Sequence, residues 1–234
     1  MQFEILTGPV KNPEMAARLE HSGASIVAIM PVALPRFGSA ASVDLTTALA
    51  IRDSLEKAKL CLLLDGRQEA ERLQHCLMRV DPDYVALDLR HSEAARLLPI
   101  IRSAQAHLVL FGAALDYDED PMWMADQLQS IMCEWKPMAI VLTLLPGLKT
   151  PVRWLRSEAG MNEEDVVPSD IEQLLARFPI FINMEVAATD VVWICERFSA
   201  ARGFAFLAGE DRDDGGCPVF TDSTLLAGLF GQTS

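Results

Sequence analysis

The chain has 234 residues, half of them hydrophobic, and a formal net charge of −13, the composition of a compact acidic globule and not of a disordered chain. An acidic excess with no Lys/Arg cluster repels a phosphate backbone, which argues against nucleic acid as a partner. The longest apolar runs, such as 138–142, fall far short of the roughly 20 residues a membrane span needs, and a length of this order allows one α/β barrel without a second domain.

In chain order, a β-like run at 3–7 is followed by Asn12-Pro13 and by Met15, Ala16 and Leu19 at helical spacing, closed by Gly23. Asn12 suits a helix N-cap, Pro13 the first helical position and Gly23 a left-handed residue after the last turn. The same unit recurs. Apolar runs at 25–30, 60–64 and 84–89 alternate with helical patterns marked by Leu45, Ala48 and Leu55, by Ala70, Leu73, Leu77 and Val80, and by Ala94, Leu97, Leu98 and Ile101. A fifth run at 107–111 precedes a helix opened by Asp120-Pro121, with Met124, Leu128, Ile131 and Trp135 on one face. The sixth run, 138–143, leads through a longer connection, restarted by a capping box Ser169-Asp170-Ile171-Glu172, to the seventh at 180–184. Val191, Val192, Cys195 and Phe198 mark the next helix, 204–208 is the eighth run, and 222–230 reads as a final short helix.

Short, nearly continuous apolar runs are what strands buried on both faces of a parallel sheet require. Eight β-α units in this length predict a (β/α)8 TIM barrel spanning 1–234 as one domain; an open doubly wound sheet is the competing arrangement, because strand order cannot be read from periodicity. No GxGxxG or GxxxxGK[ST] follows any run, which removes the usual nucleotide signatures. The start Met1-Gln2-Phe3-Glu4 lacks the positive, then apolar, pattern of a signal peptide, so the expected location is cytoplasmic. Five widely spaced cysteines without a CxxC pair agree; Cys61, Cys76, Cys133 and Cys195 read as core residues and Cys217, in a Gly-Gly-Cys-Pro stretch, as accessible.

Barrel enzymes work at the C-terminal ends of their strands, and this rule selects candidates. Thr7, Arg36, Asp65, Asp88 with Arg90 and His91, Thr143, Asn183 with Glu185, and Glu210 with Asp211 all follow or close an apolar run. Carboxylates crowded at one mouth must share protons, recruit basic residues or bind a cation. Asp65, Asp88, Glu185 and Glu210 therefore suggest either proton transfer or a divalent-metal site such as Mg²⁺, against the plainer alternative that each caps a local turn. His91 is the one histidine placed where a general acid or base would sit. The stretch 211–216 is like the start of a calcium loop but lacks the downstream Glu, and reads as a solvated turn.

The strings Ile5-Leu6-Thr7-Gly8, Asn12-Pro13-Glu14-Met15-Ala16 and Ser22-Gly23-Ala24-Ser25-Ile26-Val27 resemble the first unit of phosphoribosylanthranilate isomerase. Leu34-Pro35-Arg36-Phe37 is similar to that family's Ser-Pro-Arg loop, Leu148-Lys149-Thr150 with Trp154 to its segment after the sixth strand, and Val219-Phe220-Thr221-Asp222 to the start of its last helix. The resemblance implies a ribulose-phosphate-binding barrel with Arg36 on a substrate carboxylate. It also exposes departures. A cysteine base and an aspartate acid are replaced by Thr7 and Thr143, and a hydroxyl is not ionised near neutral pH without strong activation. The family's phosphate grip corresponds to Asn183-Met184 and to Leu207-Ala208-Gly209 followed by Glu210 and Asp211, where carboxylates disfavour an anion. The first unit is also similar to thiazole synthase, without that family's Schiff-base lysine.

The leading expectation is a divergent isomerase or lyase that moves a proton on a small anionic or sugar-derived metabolite. Asp65, Asp88 and Glu185 are its acids or bases, and Thr7, Arg36, Thr143, Asn183 and Glu210 contact substrate. No cofactor is needed for that chemistry. The alternatives are a barrel that has lost catalysis and serves as a binding or scaffold protein, and a metal-dependent lyase or aldolase. A homo-oligomer is left open.

Overall fold

A computed structural model describes residues 3–32, 42–91, 93–157, 159 and 165–207. Eight parallel strands close on themselves in sequence order: β1 (Glu4–Gly8), β2 (Ile26–Ile29), β3 (Lys59–Leu64), β4 (Tyr84–Asp88), β5 (His107–Leu115), β6 (Ala139–Leu144), β7 (Ile180–Asn183) and β8 (Gly203–Leu207). Closure is made by β1 against β8, with Leu6 opposite Ala205 and Thr7 opposite Phe206. The open-sheet alternative is thereby excluded, and the chain is a (β/α)8 barrel.

The connections carry α1 (Pro13–His21), α2 (Leu45–Ser54), α3 (Ala70–Val80), α4 (Leu98–Ser103), α5 (Pro121–Trp135), α6 (Pro151–Ser157), α7 (Pro168–Arg177) and α8 (Val191–Arg197). Local chemistry starts them as expected: Asn12 accepts from the Met15 N–H at 2.8 Å, and Asp120 from the Met122 N–H at 2.8 Å. One start differs. The N-cap of α7 is Val167, whose N–H donates to Asp170 at 2.9 Å, because Pro168 occupies the first helical position and moves the boundary back from Ser169. A one-turn 3₁₀ segment, Ala94–Leu97, leads into α4. No described helix is long and apolar enough to cross a membrane. The expected last helix at 222–230 and Cys217 lie outside the described residues.

The strand pleat sorts the core into two compartments. One face of each strand packs under the helices, as with Ile5, Val27, Leu62 and Leu87. The other fills the lumen, where Leu6, Ile26, Ala28, Leu63, Val141 and Phe181 meet as packed side chains instead of a pore. Cys61 belongs to the lumen, and burial pushes its thiol up to about 12. Cys76 and Cys195 are half-buried and Cys133 is exposed; the core assignment of Cys133 is corrected, since its place in α5 falls off the buried stripe of Met124, Ala125 and Leu128.

Candidate functional site at the barrel mouth

Among the described residues the buried polar side chains are Thr7, Asp65, Gln68, Asp88, Thr143 and Asn183. Each closes a strand at its C-terminal end or lies in the loop that follows. A buried polar group costs free energy unless it is hydrogen-bonded, so their collection at one end marks that end as built for something other than packing.

The β3 and β4 ends form one corner. Leu64 is in register with Leu87, so Asp65 and Asp88, the next residues, stand side by side. Each holds the arginine two positions on. Asp65 accepts from the Arg67 backbone N–H at 2.9 Å through Oδ1 and from Nε at 2.8 Å through Oδ2, which Nη2 also contacts. Asp88 accepts from the Arg90 N–H at 3.0 Å and from Nε at 2.9 Å, both through Oδ1, and from Nη2 at 2.6 Å through Oδ2. In both pairs the carboxylate is buried while the guanidinium is half exposed. Burial alone would raise the Asp65 pKa; the Arg67 hydrogen bonds, with the charges of Arg67 and His91, outweigh it and hold the carboxyl below its usual range. His91 Nε2 lies 3.8 Å from Asp65 Oδ2.

Two further contacts stiffen this corner. Arg96 donates from Nη2 to the carbonyls of Gly66 at 2.9 Å and Gln68 at 2.8 Å, tying the loop after β3 to the one after β4. Gly112, at a register shift in β5, has φ +106°, and a Cβ there would come within 2.7 Å of Asp88 Oδ1 and 3.2 Å of Arg90 Cγ. Only glycine leaves room for the second pair.

Across the barrel, Asn183 Nδ2 donates to Thr143 Oγ1 at 3.0 Å, joining the ends of β6 and β7. Thr7 is buried, but its register partners Val27 and Phe206 belong to the helix-facing core, and Leu6 is the lumen-facing residue. Glu185 is exposed and lines a cavity of about 540 Å³ with Lys149, Thr150, Arg153, Arg156 and Asp190. It follows β7, opposite β3 in the closed order, so the acids are not gathered as one set: Asp65 and Asp88 meet, and Glu185 stands apart. Arg36 and Glu210 lie outside the described residues. Among the described residues no three His, Cys, Asp or Glu side chains are placed to hold a metal ion, and the arginines already take the lone pairs of Asp65 and Asp88 that a cation would use.

No protein-family model matches the sequence, and no curated protein sequence matches it significantly. Solved structures do. An N-(5'-phosphoribosyl)anthranilate isomerase from Pyrococcus furiosus superposes with a TM-score of 0.65 at 11% identity, over 99% of this chain and 98% of that one. The fold is that of the phosphoribosylanthranilate isomerase barrels. The Thermotoga maritima isomerase gives 0.64 at 15% identity over 98% and 97%. A 3-dehydroquinate dehydratase from Geobacillus kaustophilus gives 0.60 at 10% identity over 100% and 93%. Identities this low carry the architecture and leave the chemistry to the residues at the mouth.

Arg67 and Gln68 escaped the sequence reading, although a signal was present. Asp65-Gly66-Arg67 and Asp88-Leu89-Arg90 repeat the same Asp-x-Arg spacing at two consecutive strand ends.

Proposed function

We propose that the barrel mouth is the ligand site of an enzyme of the isomerase or lyase kind, which transfers a proton on a small anionic or sugar-derived metabolite. The observation that carries this reading is the collection of the described buried polar side chains, Thr7 apart, at the strand ends and following loops where barrels of this fold do their chemistry. That the structural neighbours include an isomerase and a dehydratase supports the reaction class by analogy of fold.

The geometry favours a division of labour different from a mouth of competing acids. Asp65 and Asp88 are engaged by guanidinium and backbone N–H groups, so their part is to orient those groups. His91, half exposed beside Asp65, is the group with both access to solvent and a carboxylate to set its imidazole, the arrangement a proton shuttle requires. Thr143 and Asn183 supply neutral hydrogen-bonding atoms for a hydroxyl or carbonyl, with Glu185 as a second acid or base at the β7 side and Arg36 and Glu210 as further substrate contacts. With Thr7 and Thr143 at the places where the resemblance puts the base and acid of phosphoribosylanthranilate isomerase, that enzyme's own substrate is not expected to turn over, and the protein is not expected to rescue a strain lacking the isomerase.

The test is proton exchange. Pools of small carboxylates and sugar phosphates are incubated with the protein in D₂O, and deuterium uptake at carbon is followed by NMR. Uptake by the native protein, lost in His91→Gln, is the expected result. No uptake from any pool, with ligand binding retained, would favour the second reading, a binding barrel without catalysis, which the two threonines support.

A further inference from the structure

Two guanidinium groups on neighbouring strand ends, each gripped from below by a buried carboxylate, are an unusual use of ion pairs. The partners of each pair lie two residues apart at one strand end, so neither pair ties distant parts of the barrel together. Each nevertheless requires a carboxylate to be dehydrated, which is costly. What the arrangement does achieve is orientation. An arginine in open solvent samples many rotamers, whereas one whose Nε–Nη2 edge is fixed on a carboxylate holds its guanidinium plane in a set direction.

We propose that Arg67 and Arg90, with His91 beside Asp65, form an oxyanion-binding site that takes a carboxylate or phosphate group of the ligand, and that Asp65 and Asp88 are its positioning residues. The inference rests on the reading of the mouth as a ligand site and assigns the residues that grip the anion. Three observations support it. The guanidinium groups are half exposed while their carboxylates are not. The pairs stand at adjacent strand ends because β3 and β4 are hydrogen-bonded in register up to Leu64 and Leu87. The scaffold is held in place by the Arg96 clamp and by the space that Gly112 leaves for Asp88 and Arg90. Arg67 also borders a cavity of about 610 Å³, whose wall mixes Pro31, Leu64 and Leu73 with the charged Glu69, Glu71 and Arg72, a volume in the range of small-molecule sites.

The experiment titrates the full chain with inorganic phosphate and, separately, with succinate at constant ionic strength, by calorimetry and by the arginine side-chain Nε resonances. Saturable binding of at least one probe is expected, with two arginine Nε signals moving together. Arg67→Gln and Arg90→Gln should each weaken it at least tenfold, and Lys136→Gln, an exposed cation remote from the mouth, should leave it unchanged. The probe that binds more tightly distinguishes a phosphate from a carboxylate ligand. The Nε shifts are read on the native protein and so do not depend on any variant folding. Saturable binding of neither probe, binding that the arginine variants leave intact, or an equal loss in Lys136→Gln overturns the site. Deuterium uptake that survives both arginine substitutions at native KM would overturn it while leaving the proton-transfer reading standing. Binding at the arginines without uptake from any pool would do the reverse.

Discussion

The two ends of the barrel use the same kind of ion pair for different purposes. At the N-terminal end, Asp83 accepts from Arg52 Nη1 at 2.6 Å and from the Leu60 N–H at 2.9 Å, with Lys59 Nζ at 3.3 Å; Glu4 meets Arg202 Nε at 2.6 Å. These contacts join a helix to the start of two strands, and β1 to β8. At the C-terminal end, Asp65 and Asp88 each bind the arginine two positions on. The carboxylates there are 2% and 5% exposed, against 21% and 33% for Asp83 and Glu4. Long-range pairs at a partly wet surface stitch the fold. Local pairs over buried carboxylates shape a site and add little to closure.

The comparison can be broken by substitution, and the largest effect is expected at the N-terminal end. A Cβ at Gly203 would overlap the Glu4 carbonyl oxygen across the β1–β8 seam, so Gly203→Ala should cost about 3 kcal/mol or more, read as a lowered urea midpoint. Asp83→Ala comes next, with about 2–3 kcal/mol lost from removal of a charged hydrogen-bond hub and phosphate or succinate binding unchanged. A drop in binding as large as that in the arginine variants would show that the two ends are not separate. Gly112→Ala should cost about 1–2 kcal/mol from crowding and a left-handed φ, yet abolish binding of the probes, because the added methyl displaces Asp88 and Arg90.

Smaller again is Asp65→Asn. Its partner Arg67 is half exposed and can hydrate, so the stability loss should stay below about 1 kcal/mol, while affinity for the probe falls with the loss of guanidinium alignment. A loss equal to that of Asp83→Ala would mean that the mouth pairs are structural after all. The smallest effect is on the acid limb of stability. Desolvation raises the pKa values of Asp83 and Asp65, but their hydrogen bonds and cations lower them further, leaving both depressed in the folded state. The stability they contribute is complete above the ordinary aspartate value of about 3.9 and is lost as the pH falls through the depressed folded values. Asp83→Asn should flatten that limb in thermal melts below about pH 4, and Asp65→Asn less so.

How much was legible beforehand follows from which forces are local. The eight apolar runs, the caps at Asn12 and Asp120 and the stop at Gly23 depend on near neighbours in the chain, and among the described residues the strands and helices appear where those signals stand. The strand-end rule then named five of the six described buried polar residues and drew attention to His91. It could not tell a mouth acid that faces a cation from one that faces another acid, because that depends on side-chain direction and on what the adjacent strand carries. Asp88 with Arg90 was visible as a short spacing; its repetition in Asp65 and Arg67 acquires meaning only once β3 and β4 are known to be neighbours.

The sequence by itself determined the period, number and order of the strands and the helices that alternate with them among the described residues, since hydrophobic runs and turn chemistry are written residue by residue. Only the tertiary structure decided that the sheet closes, that Glu185 stands opposite Asp65 instead of beside it, that Thr7 is in register with helix-facing residues, and that two arginines are set by two aspartates. Closure and register place residues from distant parts of the chain within a few ångströms of one another, and the field each group feels is the sum of those neighbours, a quantity no local pattern contains.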